Sequence, residues 1–226
     1  MHIGAPWAEI LIVLAAYLVG GIPFGWILAK TFKGVDLRAV GSGTTGATNC
    51  SRLWKGTASF VMFLVVFVLD YGKGLFGALV SLDMAAWIGQ RMGSTTDELT
   101  LQTACGMAAI LGHMFTPYLR FRGGKGVATA FGVVTALAPL SMLWGLGAWG
   151  LLVGFTKYMS LGSMGAMVAI PLHHWLWRGE DAWKTYITVT VFLFLSAGVV
   201  VWRHRANILR ILAGNERRVG EADQSL

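Results

Sequence analysis

Three segments of the chain concentrate groups that bind anions, namely glycine backbone, small hydroxyls, amides and cations. The first, residues 40–52 (the first loop), reads VGSGTTGATNCSR. Glycine-rich backbone can turn successive N–H groups towards one anion, and an arginine such as Arg52 can bind a phosphate with two nitrogens. The candidate contacts are Gly41, Ser42, Gly43, Thr48, Asn49 and Arg52. The alternative interpretation is a flexible stretch ahead of a helix, with Thr48 or Asn49 as the helix cap.

The second segment places a lysine among glycines. Residues 120–126 (the GGKG loop) read RFRGGKG, and the apolar run after them predicts that a helix begins at Val127. Backbone donors at a helix N-terminus form an anion site together with a lysine. The candidate contacts are Gly123, Gly124, Lys125 and Gly126. A nucleotide-hydrolysing P-loop is excluded, because Leu119 stands where that motif has its first glycine and Gly126 stands where it has Ser or Thr.

The third segment, residues 203–210, reads RHRANILR. If the preceding helix continues through it, His204 and Asn207 are three positions apart and share a face. Anchoring to lipid headgroups explains the arginines but does not require that pair. Ser163, with Ser160 in SLGSMGAM, is a weaker candidate, because small residues at that spacing usually serve helix packing.

Other polar residues are interpreted as structural. Asp70 and Lys73, three apart within an apolar run, are expected to pair with each other. His113 lies near the end of another apolar run, where a packed, hydrogen-bonded histidine is commoner than a catalytic one. Asp36 is the carboxylate nearest the basic segments, and we interpret it as a surface charge.

The composition indicates the kind of protein that must position these segments. Of 226 residues, 55% are hydrophobic and 13% are charged, and the mean hydropathy is +0.62, whereas a soluble domain has about 25% charged residues. We predict an all-α integral membrane protein with a single domain over 1–226 and a flexible tail over 217–226. The net charge of +7 does not indicate a nucleic-acid partner, because the basic residues flank apolar runs. Cys50 and Cys105 lack metal-ligand spacing and are expected to be free thiols.

Seven apolar segments approach the length of a transmembrane helix. They lie at 7–29, 57–82, 101–117, 127–140, 141–156, 160–177 and 185–202. The stretch 127–156 is divided in two because Pro139 removes a helix donor and clashes with the preceding turn. The second segment is expected to be broken or tilted, since it carries Asp70 and Lys73. The first segment has no basic residue before Lys30 and is interpreted as a retained helix, not as a signal peptide.

The positive charges indicate the orientation. With the N-terminus outside and the C-terminus in the cytoplasm, fourteen Lys and Arg residues fall in inner loops and three in outer loops, which agrees with the positive-inside rule. All three anion-binding segments then lie on the cytoplasmic face. Such a cationic, donor-rich surface beside the lipid predicts a phosphorylated headgroup, an acyl phosphate or both as the substrate.

The three segments and their flanks resemble the signatures of a known family. GSGTTGATNCSR, GHMFTPYLRFRGGKGVAT and RHRANILRILAGNE look like the three motifs of the bacterial acyl-phosphate:glycerol-3-phosphate acyltransferases (the PlsY family). The likeness extends to GGIPFGWILAK and VDLRAVGSG and covers nearly the whole chain. It implies seven transmembrane helices in the bacterial inner membrane, with the motif loops facing the cytoplasm.

The resemblance also implies an activity. The family transfers a fatty acyl group from acyl phosphate to the 1-hydroxyl of sn-glycerol 3-phosphate, giving lysophosphatidic acid and phosphate in the first acylation step of phospholipid synthesis. No cofactor and no metal are implied, and functional coupling to an enzyme that makes acyl phosphate is expected. Carried over by motif, the residues that would act on the substrates are Ser42, Arg52, Lys125, Ser163, His204 and Asn207.

Four positions depart from the family pattern. Thr44, Gly21 and Ala206 stand where Asn, Ser and Glu are usual, and Thr116 stands where the second motif has proline, with Pro117 one residue later. None of these changes removes a basic residue of the three segments. They bear on substrate preference more than on reaction type.

The chemistry expected of this site is direct transfer, because an acyl phosphate is a mixed anhydride and is already activated. Arg52 and Lys125 would neutralise phosphate charge, and Ser42 with backbone N–H groups would donate to phosphate or oxyanion. The hydroxyl proton would go to His204 or to a substrate phosphate. The alternative function is a transporter or flippase for an organic phosphate or anionic lipid. Transport, however, needs polar residues through the bilayer midplane, and here they cluster at one face.

Overall fold

The computed structural model describes residues 6–92 and 97–221. Within these ranges the chain forms α-helices and short 3₁₀ turns and no β-strand, which confirms the predicted all-α class. The helices of the described part are α1 (Pro6–Gly21), α2 (Phe24–Lys33), α3 (Ala47–Ser51), α4 (Gly56–Met92), α5 (Glu98–Met114), α6 (Val127–Leu137), α7 (Pro139–Thr156), α8 (Met159–Arg178), α9 (Ile187–Arg203) and α10 (Arg205–Leu212).

The chain divides into two compact units, with the boundary between Leu137 and Ala138. In the first unit α1 packs on α5, and α4 packs on α5 and α6. In the second unit α8 packs on α7 and α9. The first unit carries the first loop and the GGKG loop, and the second unit carries Ser163 and the third motif.

Only some of the helices can cross a bilayer by length and composition alone. Among the described residues there are three such segments, or four if the bent pair α9 and α10 forms one span. They are Trp7–Lys33, Gly56–Ser81, Pro139–Thr156 and Ile187–Arg203 with Arg205–Leu212. The 11 residues of α6 extend about 16 Å, whereas the hydrocarbon core is about 30 Å thick. The seven spans and the orientation of the termini stay predictions.

Pro139 separates two helices, as the sequence predicts. Ala138 has a non-helical backbone, and Pro139 is the first residue of α7. Proline is tolerated at the first helical position, because the N–H it lacks has no partner there. The division of 127–156 is therefore confirmed.

Pro23 divides the first apolar segment, which the sequence predicts as one helix over 7–29. α1 ends at Gly21 and α2 begins at Phe24, so the predicted span is present as Trp7–Lys33 but is interrupted at Pro23. A proline at this place cannot donate to the helical ladder. The Gly21 carbonyl at the break accepts a hydrogen bond from Thr116 Oγ1 at 2.6 Å. Thr116 and Gly21 both depart from the family pattern, and the hydroxyl of the first thus donates to the carbonyl of the second.

The helix α4 runs unbroken for 37 residues through Asp70 and Lys73, so of the two predicted alternatives the break does not occur and the tilt stays a prediction. Glycines bring α4 and α6 into backbone contact. A Cβ at Gly74 would lie 2.1 Å from the carbonyl oxygen of Thr129, and one at Gly132 would lie 2.0 Å from an α4 carbonyl. This close packing places the start of α6, and with it the end of the GGKG loop, beside α4.

The last predicted helix is bent at His204. α9 ends one residue before it and α10 begins one residue after it, with an angle of 56° between them. The condition under which His204 and Asn207 would share a face of one continuous helix is therefore not met. His204 and Asn207 remain adjacent, because the Asn207 N–H donates to the His204 carbonyl at 2.7 Å.

Candidate functional site

Asn49 organises the first loop from inside. Its side chain is buried, with 3% exposed, and Nδ2 donates to the carbonyls of Leu37, Val40 and Thr44 at 2.9–3.1 Å. Its Oδ1 accepts from the backbone N–H of Ser42 at 2.9 Å. One amide therefore closes the loop on itself, and the contact of Asn49 with substrate stays a prediction.

Two glycines allow the turns of the first loop. Gly41 and Gly43 have φ values of 57° and 67°, a left-handed region that residues with a Cβ rarely adopt. A Cβ at Gly41 would also lie 2.3 Å from Asn49 Oδ1 and 3.6 Å from the Arg52 guanidinium. The guanidinium of Arg52 thus lies beside the glycine backbone. Two kinds of hydrogen-bond donor, a guanidinium and backbone N–H groups, are therefore close together at a place where they could bind one anion.

The hydroxyls of Ser42 and Thr44 contact each other. Their oxygens are 2.9 Å apart and both residues are half-buried. Thr44 therefore orients the Ser42 hydroxyl. It was not among the predicted site residues, because the family usually has asparagine at this position. Thr48 lies in the first turn of α3, and the residue that precedes this helix is Gly46, which makes no side-chain cap bond. The interpretation of Thr48 or Asn49 as the cap is therefore wrong.

An ion pair just before the first loop, which the sequence did not predict, also contacts the residue that precedes the GGKG loop. Asp36 accepts from Arg38 Nη2 at 2.6 Å and from Trp26 Nε1 at 3.0 Å. Arg38 Nη1 also donates to the carbonyl of Leu119 at 3.3 Å. Hydrogen bonding with Arg38 holds the pKa of Asp36 well below its usual range, although partial burial opposes this. Asp36 is an anchor of the loop, and the signal in the sequence was an Asp two residues before an Arg.

The GGKG loop lies directly against the end of α5. Gly123 N–H donates to the Met114 carbonyl at 3.1 Å, and Gly124 N–H donates to the His113 carbonyl at 3.0 Å. A Cβ at Gly123 would lie 2.1 Å from the His113 carbonyl oxygen. Close packing against α5 therefore requires glycine at Gly123 and Gly124. The positive-inside rule accounts for the lysine and arginines of this loop but not for its glycines.

The GGKG loop ends in the predicted helix start. Gly126 has a left-handed φ of 87°, and α6 begins at Val127, which confirms that boundary. The N-terminal N–H groups of α6 follow directly after Lys125, which is half-buried. A helix N-terminus and a lysine both favour a bound anion. The first unit thus holds both predicted cations, Arg52 on the first loop and Lys125 on the GGKG loop, and Arg38 links the segments that precede these loops.

In the second unit His204 is buried at the bend between α9 and α10, with 2% exposed. Its Nδ1 lies 2.8 Å from the Val200 carbonyl oxygen. Because a carbonyl oxygen only accepts, Nδ1 carries the proton in this contact, and the neutral ring then has its lone pair on Nε2. The backbone of α9 therefore sets the tautomer and makes Nε2 the nitrogen that can accept a proton.

Glu216 is a residue of the second unit that the sequence analysis missed. Its Oε1 accepts from Ser160 Oγ and from Asn207 Nδ2, each at 2.6 Å. Its Oε2 accepts from Arg210 Nε at 2.8 Å. Burial opposes ionisation of Glu216, but the hydrogen bonds outweigh it and hold the pKa of Glu216 below its usual range. The available signal was that Glu216 is the single acid of RHRANILRILAGNE.

The contacts of Glu216 orient Asn207. A carboxylate accepts and does not donate, so the amide of Asn207 must direct its NH₂ group at Glu216. Its Oδ1 is then the acceptor that it offers elsewhere. Asn207 is buried, with 5% exposed, and such a fixed amide can recognise a hydroxyl donor.

Ser163 lies on α8 and is buried. Its Oγ donates to the Met159 carbonyl at 2.8 Å, within the same helix. This contact agrees with the helix-packing interpretation, and its role with substrate stays a prediction.

The segment after α10 contacts the turn before α8. Val219 N–H donates to the Lys157 carbonyl at 2.8 Å, and the Arg218 guanidinium lies 5.7 Å from the centroid of the Tyr158 ring. Of the flexible tail predicted over 217–226, residues 222–226 lie outside the described part of the chain.

The sequence is similar to known proteins over nearly its full length. A sequence model of the family described as "Glycerol-3-phosphate acyltransferase" matches residues 10–214. A glycerol-3-phosphate acyltransferase of Chlorobaculum tepidum is 36% identical over 228 residues, covering 92% of this chain and 95% of its own length. One of Thermosynechococcus vestitus is 39% identical over 215 residues, covering 93% and 94%.

The fold is similar to that of solved structures. The crystal structure of PlsY (YgiH), an integral membrane glycerol 3-phosphate acyltransferase, in its glycerol 3-phosphate form matches with a TM-score of 0.78 at 36% identity, covering 94% of this chain and 96% of that one. A structure of PlsY in its lysophosphatidic acid form matches with a TM-score of 0.74 at 34% identity, covering 94% and 95%. This likeness and the apolar helices agree in identifying an integral membrane protein.

Proposed function

The chain belongs to the glycerol-3-phosphate acyltransferase family, and from this premise we propose that it transfers a fatty acyl group from acyl phosphate to the 1-hydroxyl of sn-glycerol 3-phosphate. The products are lysophosphatidic acid and inorganic phosphate. The family match across most of the chain is the observation that carries the proposal. The donor-rich loops of the first unit support it, because both substrates carry phosphate.

Two cations allow two anions to approach each other. Unit charges 4 Å apart interact by about 4 kcal/mol at the effective dielectric of a protein surface, so two phosphates repel strongly unless they are neutralised. Arg52 and Lys125 supply this neutralisation. The backbone N–H groups of Gly41 and Gly126 and the hydroxyl of Thr48 complete the phosphate contacts. Gly43, Gly123 and Gly124 shape the two loops, because their N–H groups donate to the carbonyls of Val40, Met114 and His113. The Asn49 amide holds the first loop closed.

The transfer proceeds without a covalent intermediate on the enzyme. The glycerol oxygen attacks the acyl carbon, the bond from that carbon to the phosphate oxygen breaks, and phosphate leaves with the bonding electrons. Ser42 donates its hydroxyl to the phosphate or to the developing oxyanion. The contact between Ser42 and Thr44 supports this role, since the group that orients the Ser42 hydroxyl is itself a hydroxyl and not a general base.

The second unit supplies the groups that hold and deprotonate the glycerol hydroxyl. His204 Nε2 carries the lone pair and takes the proton, and Asn207 Oδ1 accepts from a second hydroxyl of glycerol 3-phosphate. Ser163 adds a hydroxyl to the same substrate. The tautomer imposed by the Val200 carbonyl supports the choice of His204 over a substrate phosphate as the proton acceptor.

The setting of the reaction is the bacterial inner membrane, with the site facing the cytoplasm and the acyl chain in the lipid. The positive-inside distribution of charge supports this orientation, together with the seven-span arrangement. The reaction uses no cofactor and no metal. Because acyl phosphate is reactive and lipid-soluble at one end, an enzyme that makes it is expected to act at the same membrane.

The decisive experiment incubates the purified protein in detergent with palmitoyl phosphate and labelled glycerol 3-phosphate. Formation of labelled lysophosphatidic acid without a second compartment supports the acyltransferase. Palmitoyl-coenzyme A in place of palmitoyl phosphate is the control for the donor. Absence of product, together with uptake of labelled glycerol 3-phosphate by vesicles containing the protein, would instead support a transporter.

The Ser42→Ala variant tests direct transfer. It should keep some turnover, because the hydroxyl only stabilises charge. Mass spectrometry of the wild-type protein quenched during turnover should show no mass increase of one acyl group. An acyl adduct on Ser42 would overturn the direct mechanism and leave the substrates unchanged.

A further inference from the structure

A buried charged cluster lies in the first unit and takes no part in the chemistry above. Its members, Asp70, Lys73 and His113, are 2%, 4% and 6% exposed. Lys73 Nζ lies 2.8 Å from Asp70 Oδ1, which confirms the predicted pair. His113 Nδ1 lies 3.5 Å from the same oxygen. Both contacts are short enough for an ion pair, the second one when the His113 ring is protonated.

Such a cluster is poorly explained by stability alone. Removing charges from water costs several kcal/mol each, and a buried ion pair often stabilises a fold less than apolar residues of the same size do. The cluster does, however, impose a fixed geometry on whatever it contacts. Its contacts therefore indicate its role.

One contact of the cluster reaches the break between α1 and α2. Lys73 Nζ donates to the carbonyl oxygen of Ile22 at 2.8 Å, and the same ammonium lies 5.6 Å from the centroid of the Phe24 ring. The lysine thus has its own partners at this break, besides Asp70. Asp70 also contacts the ring of His113.

The second contact reaches the GGKG loop through His113. Its carbonyl accepts from Gly124 N–H at 3.0 Å. Its ring also lies against the loop, because a Cβ at Gly124 would be 2.0 Å from Nε2. With Nδ1 towards the Asp70 carboxylate, the ring presents Nε2 to the loop. The ring therefore sets where the loop backbone can lie.

We propose that Asp70, acting through His113, positions the GGKG loop for phosphate binding. The negative charge of Asp70 favours a proton on His113 Nδ1 and one orientation of the ring. The ring supports Gly124, and the fixed backbone directs Lys125 and the N–H groups at the start of α6 at the phosphate. In this proposal Asp70 and His113 are positioning residues, since they act on the loop backbone at Gly124. The inference rests on the proposed function for its kinetic test and on loop geometry alone for its other tests.

Asp70→Asn tests the proposal, because it removes the charge and keeps the shape. We expect KM for glycerol 3-phosphate or for palmitoyl phosphate to rise about tenfold, with kcat changed less than about threefold, as for a loss of substrate binding. The affinity for inorganic phosphate, measured by titration calorimetry, should fall by a similar factor. Ser81→Ala is the matched control, since Ser81 is a buried polar residue of α4 that bonds the Ala78 carbonyl of its own helix. It should behave as the wild type.

Limited proteolysis reports the loop directly. Trypsin cleavage after Arg122, which is exposed, should become several times faster in Asp70→Asn. Cleavage after Lys184, an exposed residue of the second unit, should keep its wild-type rate. Faster cleavage at both sites would indicate general unfolding and would overturn the inference.

The double variant tests the route through His113. His113→Asn should reproduce the kinetic and proteolytic changes, and adding Asp70→Asn to it should produce less than about a twofold further change, because coupled residues are not additive. If the fold-changes of Asp70→Asn and His113→Asn instead multiply in the double variant, the two residues act independently and the inference is overturned. Wild-type KM, phosphate affinity and cleavage in both single variants would overturn it as well.

Two results separate this inference from the proposed function. If Asp70→Asn does not fold, His113→Asn and His113→Gln are assayed alone, and unchanged cleavage after Arg122 in both contradicts the proposal. If the wild type makes no lysophosphatidic acid, the proposed function fails. The phosphate titration and the proteolysis then still decide whether Asp70 and His113 position the loop.

Discussion

Glu216→Gln replaces one carboxylate oxygen by an amide nitrogen and keeps the shape of the side chain. The wild-type carboxylate accepts from Ser160 Oγ and Asn207 Nδ2 at 2.6 Å each and from Arg210 Nε at 2.8 Å. Glutamine keeps one oxygen for Ser160 and Asn207 but turns an NH₂ group towards Arg210. The variant therefore weakens the hydrogen bonds from Ser160 and Asn207. At the third contact it places the glutamine NH₂ group against Arg210 Nε, so that two donors face each other.

The magnitude follows from the change in charge. Hydrogen bonds to charged groups contribute about 1.5–3 kcal/mol and neutral ones about 1 kcal/mol, so the bonds from Ser160 and Asn207 each lose about 1 kcal/mol. The ion pair with Arg210, whose side chain is 40% exposed, adds about 1 kcal/mol at most. The variant should be destabilised by about 3 kcal/mol in total, since the three bonds share one group. The loss at Asn207 alone predicts a fall in kcat/KM of about fivefold.

The assay measures kcat/KM for glycerol 3-phosphate and the thermal unfolding temperature in detergent. Arg210→Met is the matched control, because it removes the same ion pair and leaves the carboxylate with Ser160 and Asn207. Its kcat/KM should stay within about twofold of the wild type. In an Asn207→Ala background, Glu216→Gln should have little further effect on kcat/KM. The same fivefold fall in that background would refute the argument that Glu216 acts through Asn207.

Three other perturbations have defined outcomes. Thr44→Val removes the partner of Ser42 and should lower kcat about three- to tenfold, whereas Thr44→Ser, which keeps the hydroxyl, should restore it; equal rates would refute the orienting role. Asp36→Asn should lower the unfolding temperature at pH 7. Because pairing with Arg38 lowers the folded pKa of Asp36, this difference should persist above the unfolded pKa of about 3.9 and vanish as the pH falls further; a difference that grows in acid contradicts the assignment. Burial, with a smaller effect from the Asp70 charge, raises the pKa of Cys50 to about 12, so maleimide should label this thiol only after denaturation, and rapid labelling of the native protein contradicts its burial.

Features that depend on neighbours in the chain were predictable. The break at Pro139 follows from the missing N–H of proline, and the pairing of Asp70 with Lys73 follows from their spacing of three on one helix. The helix start at Val127 follows from the change from glycines to an apolar run. Both cysteines are free in the structure, as expected.

Features that depend on distant contacts were missed. Arg38 reaches the carbonyl of Leu119, 81 positions away, and Glu216 reaches Ser160, 56 positions away. Asp36 and Glu216 pair with Arg38 and Arg210, which are not the cations predicted to bind phosphate. The bend at His204 was missed because RHRANILR contains neither proline nor glycine, so its local pattern favours a continuous helix.

The sequence by itself determined the class of the protein and its chemical inventory. The order of the residues alone reveals the apolar runs of membrane length, the glycine-rich cationic loops and the three motifs. Only the tertiary structure decided how those groups are presented, namely that Arg38 reaches the carbonyl of Leu119, that Glu216 joins Ser160 to Asn207 and that His113 supports Gly124. The physical reason is that the direction of a hydrogen bond depends on which groups meet in space. For contacts between elements, that meeting is set by helix packing, which no local pattern encodes.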